Sequence, residues 1–293
     1  MLQQPEHGPM GETTFIHLTD LHVGNPAVAD DHLFSDTSAT LARVLELIGS
    51  MDSRPKFIVA SGDLTNRGDP DSYRQLKALM AATDLPVVYA IGNHDTRPGF
   101  YQGMLHRSTD LDAPYDHDQV IDGVHIVTLD TTTPGQIGGS IEPEQFAWLE
   151  AALDTHPELP KLLVAHHAPA LGDTPPWDHW RTIEFGQSQQ LAELLRGRNI
   201  VGILSGHIHH DRFSVWHGIP IVVGMGQHAA TDIITTDVLR MVEGASFGIG
   251  TIRRSGLTMA LVPLPQSRAE LNRYDLKLLR QKQEAALAEA PAS

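Results

Sequence analysis

Residues 13–22, TTFIHLTDLH, hold the pattern that decides the fold, because a short apolar run ends there in acidic and histidine side chains. The run Thr13–Leu18 predicts a buried strand. Helices and strands then alternate, with a helix at 37–51, a strand at 57–60, a helix at 71–82 and a strand at 86–91. This order favours an α/β fold with a parallel or mixed sheet that is covered by helices.

The second half of the chain continues the alternation and then becomes rich in strands. Asp122-Gly123 lies between two apolar runs and indicates a hairpin. Helices are predicted at 142–155 and 187–196, and strands at 161–165, 200–204, 212–216, 220–223, 246–252 and 257–262. We therefore expect one domain in which helices flank two sheets.

The composition limits the possible functions. The chain has 293 residues, of which 41% are hydrophobic, and a formal net charge of −15. An acidic surface repels polyanions, so we expect no nucleic-acid polymer as a partner. Cysteine is absent, which excludes disulfides and thiolate metal sites. No apolar run reaches the roughly 20 residues of a membrane span, and the polar N-terminus lacks a signal pattern, so we expect a cytoplasmic protein.

Five polar clusters each follow an apolar strand. They are Asp20-Leu21-His22, Gly62-Asp63, Gly92-Asn93-His94-Asp95, His166-His167 and Gly206-His207-Ile208-His209. Ligands of open α/β sheets bind beyond the carboxyl ends of the strands, so these clusters would meet at one edge. Imidazole and carboxylate groups without sulfur suit Mn, Fe, Zn or Co. The sequence therefore predicts a transition metal site there.

The spacing within the clusters supports shared ligation. Asp20 and His22 are two residues apart in an extended segment, so both side chains point to the same side and can reach one ion. His207 and His209 repeat this spacing. A carboxylate can bridge two cations, and Asp63 is the natural candidate for that role.

The whole set of clusters, over residues 13–225, resembles the motifs of the calcineurin-like metallophosphoesterase superfamily. Residues 62–76, GDLTNRGDPDSYRQL, are similar to its bacterial class III branch of cyclic-nucleotide and glycerophosphodiester phosphodiesterases. The resemblance implies a four-layer α-β-β-α sandwich of two mixed β-sheets over residues 1–264, with the metal site at the strand C-terminal ends. It also implies hydrolysis of a small phosphodiester, above all a 3',5'-cyclic nucleotide.

The resemblance assigns a role to each side chain. Seven residues would hold two divalent or trivalent ions: Asp20, His22 and His209 the first, Asn93, His166 and His207 the second, and Asp63 both. A metal-bridging hydroxide would attack phosphorus while the two ions clamp the attacking and leaving oxygens. His94 would lie near the substrate phosphate and protonate the leaving oxygen.

Residues beside the motifs leave more than one interpretation. Asn66 stands where the protein serine/threonine phosphatases of the superfamily have an Asp that supports the catalytic His, so we do not expect a protein phosphatase. Arg67 could bind substrate together with Asn93 and His94, or it could lie on a solvated loop. Asp95 is expected to orient its loop.

Three functions stay open at this stage. The first is hydrolysis of a cyclic nucleotide, and the second is hydrolysis of a glycerophosphodiester or a phospholipid headgroup. The third is a non-catalytic scaffold with the same fold. The chain keeps the metal ligands and His94, which favours an enzyme, and its substrate specificity would lie in loops such as 133–141 and 172–183.

Residues 265–293 are expected to form a C-terminal helical tail. A helix at 267–290 would place Leu271, Tyr274 and Leu278 on one apolar face. The resembling branch is often oligomeric, so we expect a homo-oligomer that uses this end of the chain. A monomer in which the tail packs on its own domain is the alternative.

Overall fold

Two large β-sheets form the middle of the fold in the computed structural model, which describes residues 11–235 and 237–289. The first sheet contains, in spatial order, β13 (Gly256–Pro263), β12 (Ser246–Arg253), β1 (Thr13–Leu18), β2 (Phe57–Ser61) and β3 (Val87–Ala90). Strands β1, β2 and β3 are parallel, and β12 is antiparallel to β1. The carboxyl ends of β1, β2 and β3 therefore lie at one edge.

The second sheet has six strands. In spatial order they are β4 (His117–Ile121), β5 (Val124–Leu129), β6 (Lys161–Ala165), β7 (Ile200–Ser205), β9 (Ile219–Val223) and β8 (Arg212–Trp216). The four inner strands are parallel, and β4 and β8 are antiparallel edge strands. The predicted hairpin joins β4 and β5, where Asp122 and Gly123 have positive φ angles of 49° and 78°, as a type I′ turn requires.

Helices cover the outer face of each sheet. Helices α1 (Thr37–Gly49), α2 (Pro70–Met80) and α3 (Arg97–Gly103) pack on the first sheet, and α4 (Pro143–Asp154) and α5 (Phe185–Leu195) pack on the second. A third apolar cluster, which includes Phe15, Phe57, Ile126 and Leu162, fills the space between the sheets. The predicted four-layer α-β-β-α sandwich is therefore confirmed.

The start of the C-terminal tail differs from the prediction. Residues Glu270–Asp275 form strand β14, which pairs with β11 (Val238–Val242) in a three-stranded sheet with β10 (Ala230–Thr231). Because backbone pairing with β11 outweighs the helical spacing of the side chains, Leu271 and Tyr274 lie on a strand and the predicted helical face is wrong. Helix α6 begins only at Leu276 and is described to Glu289, so Ala290 lies outside the described residues.

No helix among the described residues is long and apolar enough to cross a membrane.

Candidate metal centre

The predicted ligands lie directly beyond the strands that they follow in sequence. Asp20 and His22 follow β1, Asp63 follows β2, Asn93 follows β3, His166 follows β6, and His207 and His209 follow β7. Backbone hydrogen bonds join the first two segments, because the Asp20 N–H donates to Gly62 O at 3.0 Å and the His22 N–H donates to Asp63 O at 2.9 Å. These bonds hold the polar segments that follow β1 and β2 side by side.

The backbone turns sharply at most of these positions. Five predicted ligands have left-handed backbones with φ between 43° and 75°, namely Asp20, His22, Asp63, His207 and His209. Such angles cost free energy for residues other than glycine and persist where the surrounding structure enforces them, often at functional sites. Neighbouring glycines also leave room, since a Cβ on Gly62 would lie 2.5 Å from His166 Nδ1.

Asp63 lies at the centre of the cluster. Its Oδ2 is 3.6 Å from His22 Nε2 and 3.3 Å from His166 Nε2, and its Oδ1 accepts a hydrogen bond from the His94 N–H at 2.8 Å. The Oδ1 of Asp20 is 3.3 Å from His209 Nε2. The ligand atoms of Asp20, His22, Asp63 and His209 all lie within 4.8 Å of one another. Asp63 therefore faces histidines from both sheets.

Buried polar atoms without hydrogen-bond partners indicate whether this cluster suits metal ions. The Nε2 atoms of His22 and His166 and the Oδ1 atom of Asn93 are buried without a hydrogen-bond partner among the described residues. Leaving such atoms unsatisfied is costly, so native structures rarely contain them unless an ion or water completes the site. The donor set of imidazole, carboxylate and amide oxygen suits transition metals. The residues present therefore fit the metal ions that the sequence predicts.

The other ring nitrogen of each histidine is held by an acceptor. The Nδ1 atoms of His22, His166 and His209 donate to Asn66 Oδ1, Ser61 O and Ala229 O at 2.9, 3.0 and 3.0 Å. His207 is reversed, because its Nε2 donates to Trp180 O at 2.8 Å, which leaves Nδ1 as the ring nitrogen that could bind a metal. Metal-binding histidines characteristically donate their second N–H in this way, which fixes the ring and its tautomer.

The charges of the buried groups depend on one another. Burial opposes a charge on Asp63, but His166, His94 and His22 outweigh it and hold the pKa of Asp63 well below its usual range. Burial also opposes a charge on His166, yet Asp63 raises the pKa of His166 to about 9. Burial lowers the pKa of His207 to about 3, which keeps it in the neutral form that binds metals. The centre thus favours positive charge beside Asp63.

Neighbouring histidines have partners of their own. The Nδ1 of His167 accepts a hydrogen bond from Thr131 Oγ1 at 2.8 Å, and its Nε2 donates one to Ile137 O at 2.9 Å. His167 therefore holds the loop that contains Ile137, although its ring lies near that of His207. His228 accepts from the Phe34 N–H at 3.0 Å and lies beside His22. These long-range contacts gave no signal in the sequence.

His94 lies beside the cluster with its side chain exposed. Its Nδ1 donates to the backbone carbonyl of Asn66 at 3.0 Å, which leaves Nε2 free to act on a substrate. Asp95 accepts hydrogen bonds from backbone N–H groups of Leu64, Thr65 and Gly92 and from the hydroxyl of Tyr73. As expected, Asp95 orients the loop that carries Asn93 and His94.

A cavity of about 690 Å³ opens beside His94. Asn93, His94, Arg67 and residues of the predicted specificity loop around Thr133 line it. This volume lies within the range of about 300–1,000 Å³ for small-molecule sites. Arg67 is half-exposed there and forms a bidentate ion pair with Asp30, with N–O distances of 2.7 and 2.6 Å.

A buried His/Asp/Asn centre at the strand ends of a two-sheet sandwich defines a metal-dependent hydrolase. Residues 13–211 match the calcineurin-like phosphoesterase family, and the chain belongs to this family.

Three bacterial proteins illustrate what the chain is similar to in sequence. A "Probable cyclic nucleotide phosphodiesterase" of Rhodococcus erythropolis is 34% identical over 221 residues, which cover 73% of this chain and 71% of that protein. A "cAMP/cGMP dual specificity phosphodiesterase" of Mycobacterium tuberculosis is 32% identical over 228 residues, 76% of this chain and 69% of that protein. A "Probable glycerophosphodiester phosphodiesterase" of Arcobacter nitrofigilis is 24% identical over 208 residues, 67% and 75% of the two chains.

A solved structure supports the fold. Purple acid phosphatase from yellow lupin seeds superposes with a TM-score of 0.62 at 13% identity, covering 86% of this chain and 51% of that chain. The present chain therefore spans about half of the lupin protein. At this identity the likeness shows the shared fold alone.

Proposed function

We propose that the chain is a phosphodiesterase with two transition metal ions, and that it hydrolyses a 3',5'-cyclic nucleotide. The proposal is carried by the buried Nε2 atoms of His22 and His166, which have no hydrogen-bond partner among the described residues and lie 3.6 and 3.3 Å from the same oxygen, Oδ2, of Asp63. In this proposal the first ion is held by Asp20, His22 and His209, the second by Asn93, His166 and His207, and both by Asp63.

The protein side chains prepare the reaction around these ions. When bound, the two ions would supply positive charge to the phosphate oxygens and lower the pKa of water towards roughly 7. Arg67 and Asn93 lie at the cavity wall, where they would bind and orient the phosphate. His94, fixed through Nδ1, would protonate the leaving oxygen from Nε2 as the phosphorus–oxygen bond breaks.

The substrate class is supported by the cavity and by the relatives. Two of the similar proteins named above are called cyclic nucleotide phosphodiesterases, and the cavity beside His94 has the size of a small-molecule site. The third similar protein is named as a probable glycerophosphodiester phosphodiesterase, so a glycerophosphodiester is the alternative substrate. The scaffold is disfavoured because the ligand atoms converge and His94 faces the cavity.

A substrate panel tests this proposal. The protein, loaded with Mn, is assayed with cAMP, cGMP, a glycerophosphodiester and a phosphate monoester. We expect the highest kcat/KM for a cyclic nucleotide. A higher value for the glycerophosphodiester would favour the alternative, and no hydrolysis of any ester by metal-loaded protein would favour the scaffold.

Removal of metal should abolish activity and lower stability. We expect close to two transition metal ions per chain by elemental analysis, loss of activity in a strong chelator, and at least partial recovery with Mn. An ion at about 100 times its Kd stabilises the folded state by about 2.7 kcal/mol, so the chelated protein should also unfold at a lower temperature. Chelator presaturated with Mn is the control. Metal-free protein with full activity would contradict the proposal.

The C-terminal end is also proposed to join subunits. Tyr274 on β14 and Leu278 on α6 are 37% and 52% exposed although they are large and mainly apolar. We expect the full chain to form a dimer or larger assembly. A chain that ends after Asp275 should contain fewer subunits per assembly, because this truncation removes α6 and keeps β14. Light scattering on both chains decides, and a monomer in both would refute the proposal.

A further inference from the structure

Asn66 contacts both a proposed metal ligand and the proposed general acid. Its Oδ1 accepts a hydrogen bond from His22 Nδ1 at 2.9 Å, and its backbone carbonyl accepts one from His94 Nδ1 at 3.0 Å. The two rings also touch edge to face, with centroids 4.6 Å apart. A shift of Asn66 would therefore move both rings.

Asp30 holds Asn66 from a distant part of the sequence. In the loop between β1 and α1, Asp30 Oδ2 accepts from Asn66 Nδ2 at 2.7 Å and from Arg67 Nε at 2.7 Å, and Oδ1 accepts from Arg67 Nη2 at 2.6 Å. The Asp30 side chain is only 8% exposed. The hydrogen bonds from Arg67 keep the pKa of Asp30 far below its usual range, so this carboxylate is charged.

This carboxylate fixes which way the Asn66 amide points. An amide N–H faces a carboxylate, so the Asn66 Oδ1 must face the opposite side, where it meets the N–H of His22. Hydrogen bonds to a charged acceptor are about twice as strong as bonds between neutral groups. Without the charge on Asp30, the amide could turn and present its N–H groups to the N–H of His22.

We propose that Asp30 is a positioning residue for phosphodiester hydrolysis, which acts through Asn66 on the rings of His94 and His22. The inference rests on the proposed function. Asp30 also holds Arg67 at the cavity wall with two of its five N–H donors, which leaves the other three for a phosphate. A single carboxylate outside the metal centre would thus set the ring of one proposed metal ligand, His22, and two groups that line the cavity, His94 and Arg67.

The test compares Asp30→Asn with Asp31→Asn. Both substitutions remove one negative charge without changing the size of the side chain, and Asp31 is exposed on the same loop. Each variant is assayed at saturating Mn with two diesters, an aryl ester with a good leaving group and an alkyl ester with a poor one.

For Asp30→Asn we expect kcat for the alkyl ester to fall by about 10–100-fold, as for other residues that orient metal ligands. The aryl ester should lose less, because it needs little protonation, and Asp31→Asn should behave as the unsubstituted protein.

A double variant separates positioning from general loss of structure. Asp30→Asn combined with Asn66→Asp exchanges carboxylate and amide, so position 66 can still accept from His22 and position 30 can still donate to position 66. We expect this exchange to recover part of the lost kcat for the alkyl ester.

Equal behaviour of Asp30→Asn and Asp31→Asn, or a double variant no better than Asp30→Asn alone, would overturn the inference. Equal losses on the two esters would overturn its route through His94. Absence of hydrolysis by the unsubstituted protein would instead refute the proposed function, so the two failures are distinguishable.

Discussion

Replacing Asp63 with Asn is expected to remove both metal ions and to lower phosphodiester hydrolysis by at least about 10³-fold, since loss of one electrostatic contact already costs about 10²–10³-fold in other enzymes. The variant should still fold. Asn tolerates the left-handed backbone of this position, where φ is 46°, and its Oδ1 can still accept from the His94 N–H. Its Nδ2, however, would direct an N–H towards the Nε2 of His166, 3.3 Å away, and occupy the lone pair that a metal needs.

The matched control for this experiment is Asp118→Asn. Asp118 is bonded to His125 Nε2 at 2.8 Å on the β4–β5 hairpin, so the same chemical change there should leave metal content and activity nearly unchanged. Elemental analysis gives the metals per chain, and kcat is measured on the same samples. Comparable losses in both variants would mean that the site lies elsewhere.

The strand ends could be predicted because their signal is local. The predicted bounds of β1 and β6 agree with the structure at every residue, since each is a mostly apolar run that stops at a cluster of polar side chains. The rule that parallel strands expose their carboxyl ends at one edge then brings distant clusters together. Two sheets flanked by helices, and the edge at which the polar clusters meet, thus followed from short stretches of sequence and one topological rule, whereas the four-layer order and the role of each ligand came from the family resemblance.

The remaining features depend on partners that sequence spacing does not reveal. The sequence predicts a helix where β14 lies, because the apolar residues also fit a helical period, and pairing with the edge of β11 decides in favour of the strand. Helix α3 was missed because it is short and contains Pro98 and Gly99, which weaken helical signals. The contact of Asp30 with Asn66 spans 36 residues and joins two loops, where periodicity carries no information.

His166 and His167 are adjacent in sequence, but only His166 is a proposed metal ligand, and their hydrogen bonds explain this difference. Among the residues that the structure describes, His166 has one nitrogen bonded to Ser61 O and the other buried without a partner, whereas both nitrogens of His167 have partners. Adjacent positions in the sequence therefore serve different purposes, one facing Asp63 and one anchoring the loop near Ile137. Residue type alone could not have separated them.

His94→Ala is expected to keep both metal ions and to lower hydrolysis of diesters with poor leaving groups by about 10²–10⁴-fold, the usual contribution of a general acid. The metals should remain because the contact of residue 94 with Asp63 comes from the backbone N–H, which alanine retains. The variant loses only the ring, which lines the cavity and is anchored through Nδ1 on Asn66 O.

The dependence on the leaving group identifies what the His94 ring does. A nitrophenyl leaving group departs without a proton, so the variant should lose much less activity on an aryl diester than on an alkyl diester if His94 is the acid. The control is His217→Asn, at an exposed histidine in the turn between β8 and β9, and it should leave both rates unchanged. Equal losses on the two diesters, with the metals retained, would mean that His94 holds the phosphate in place, because a positioning contact serves every diester alike whatever its leaving group.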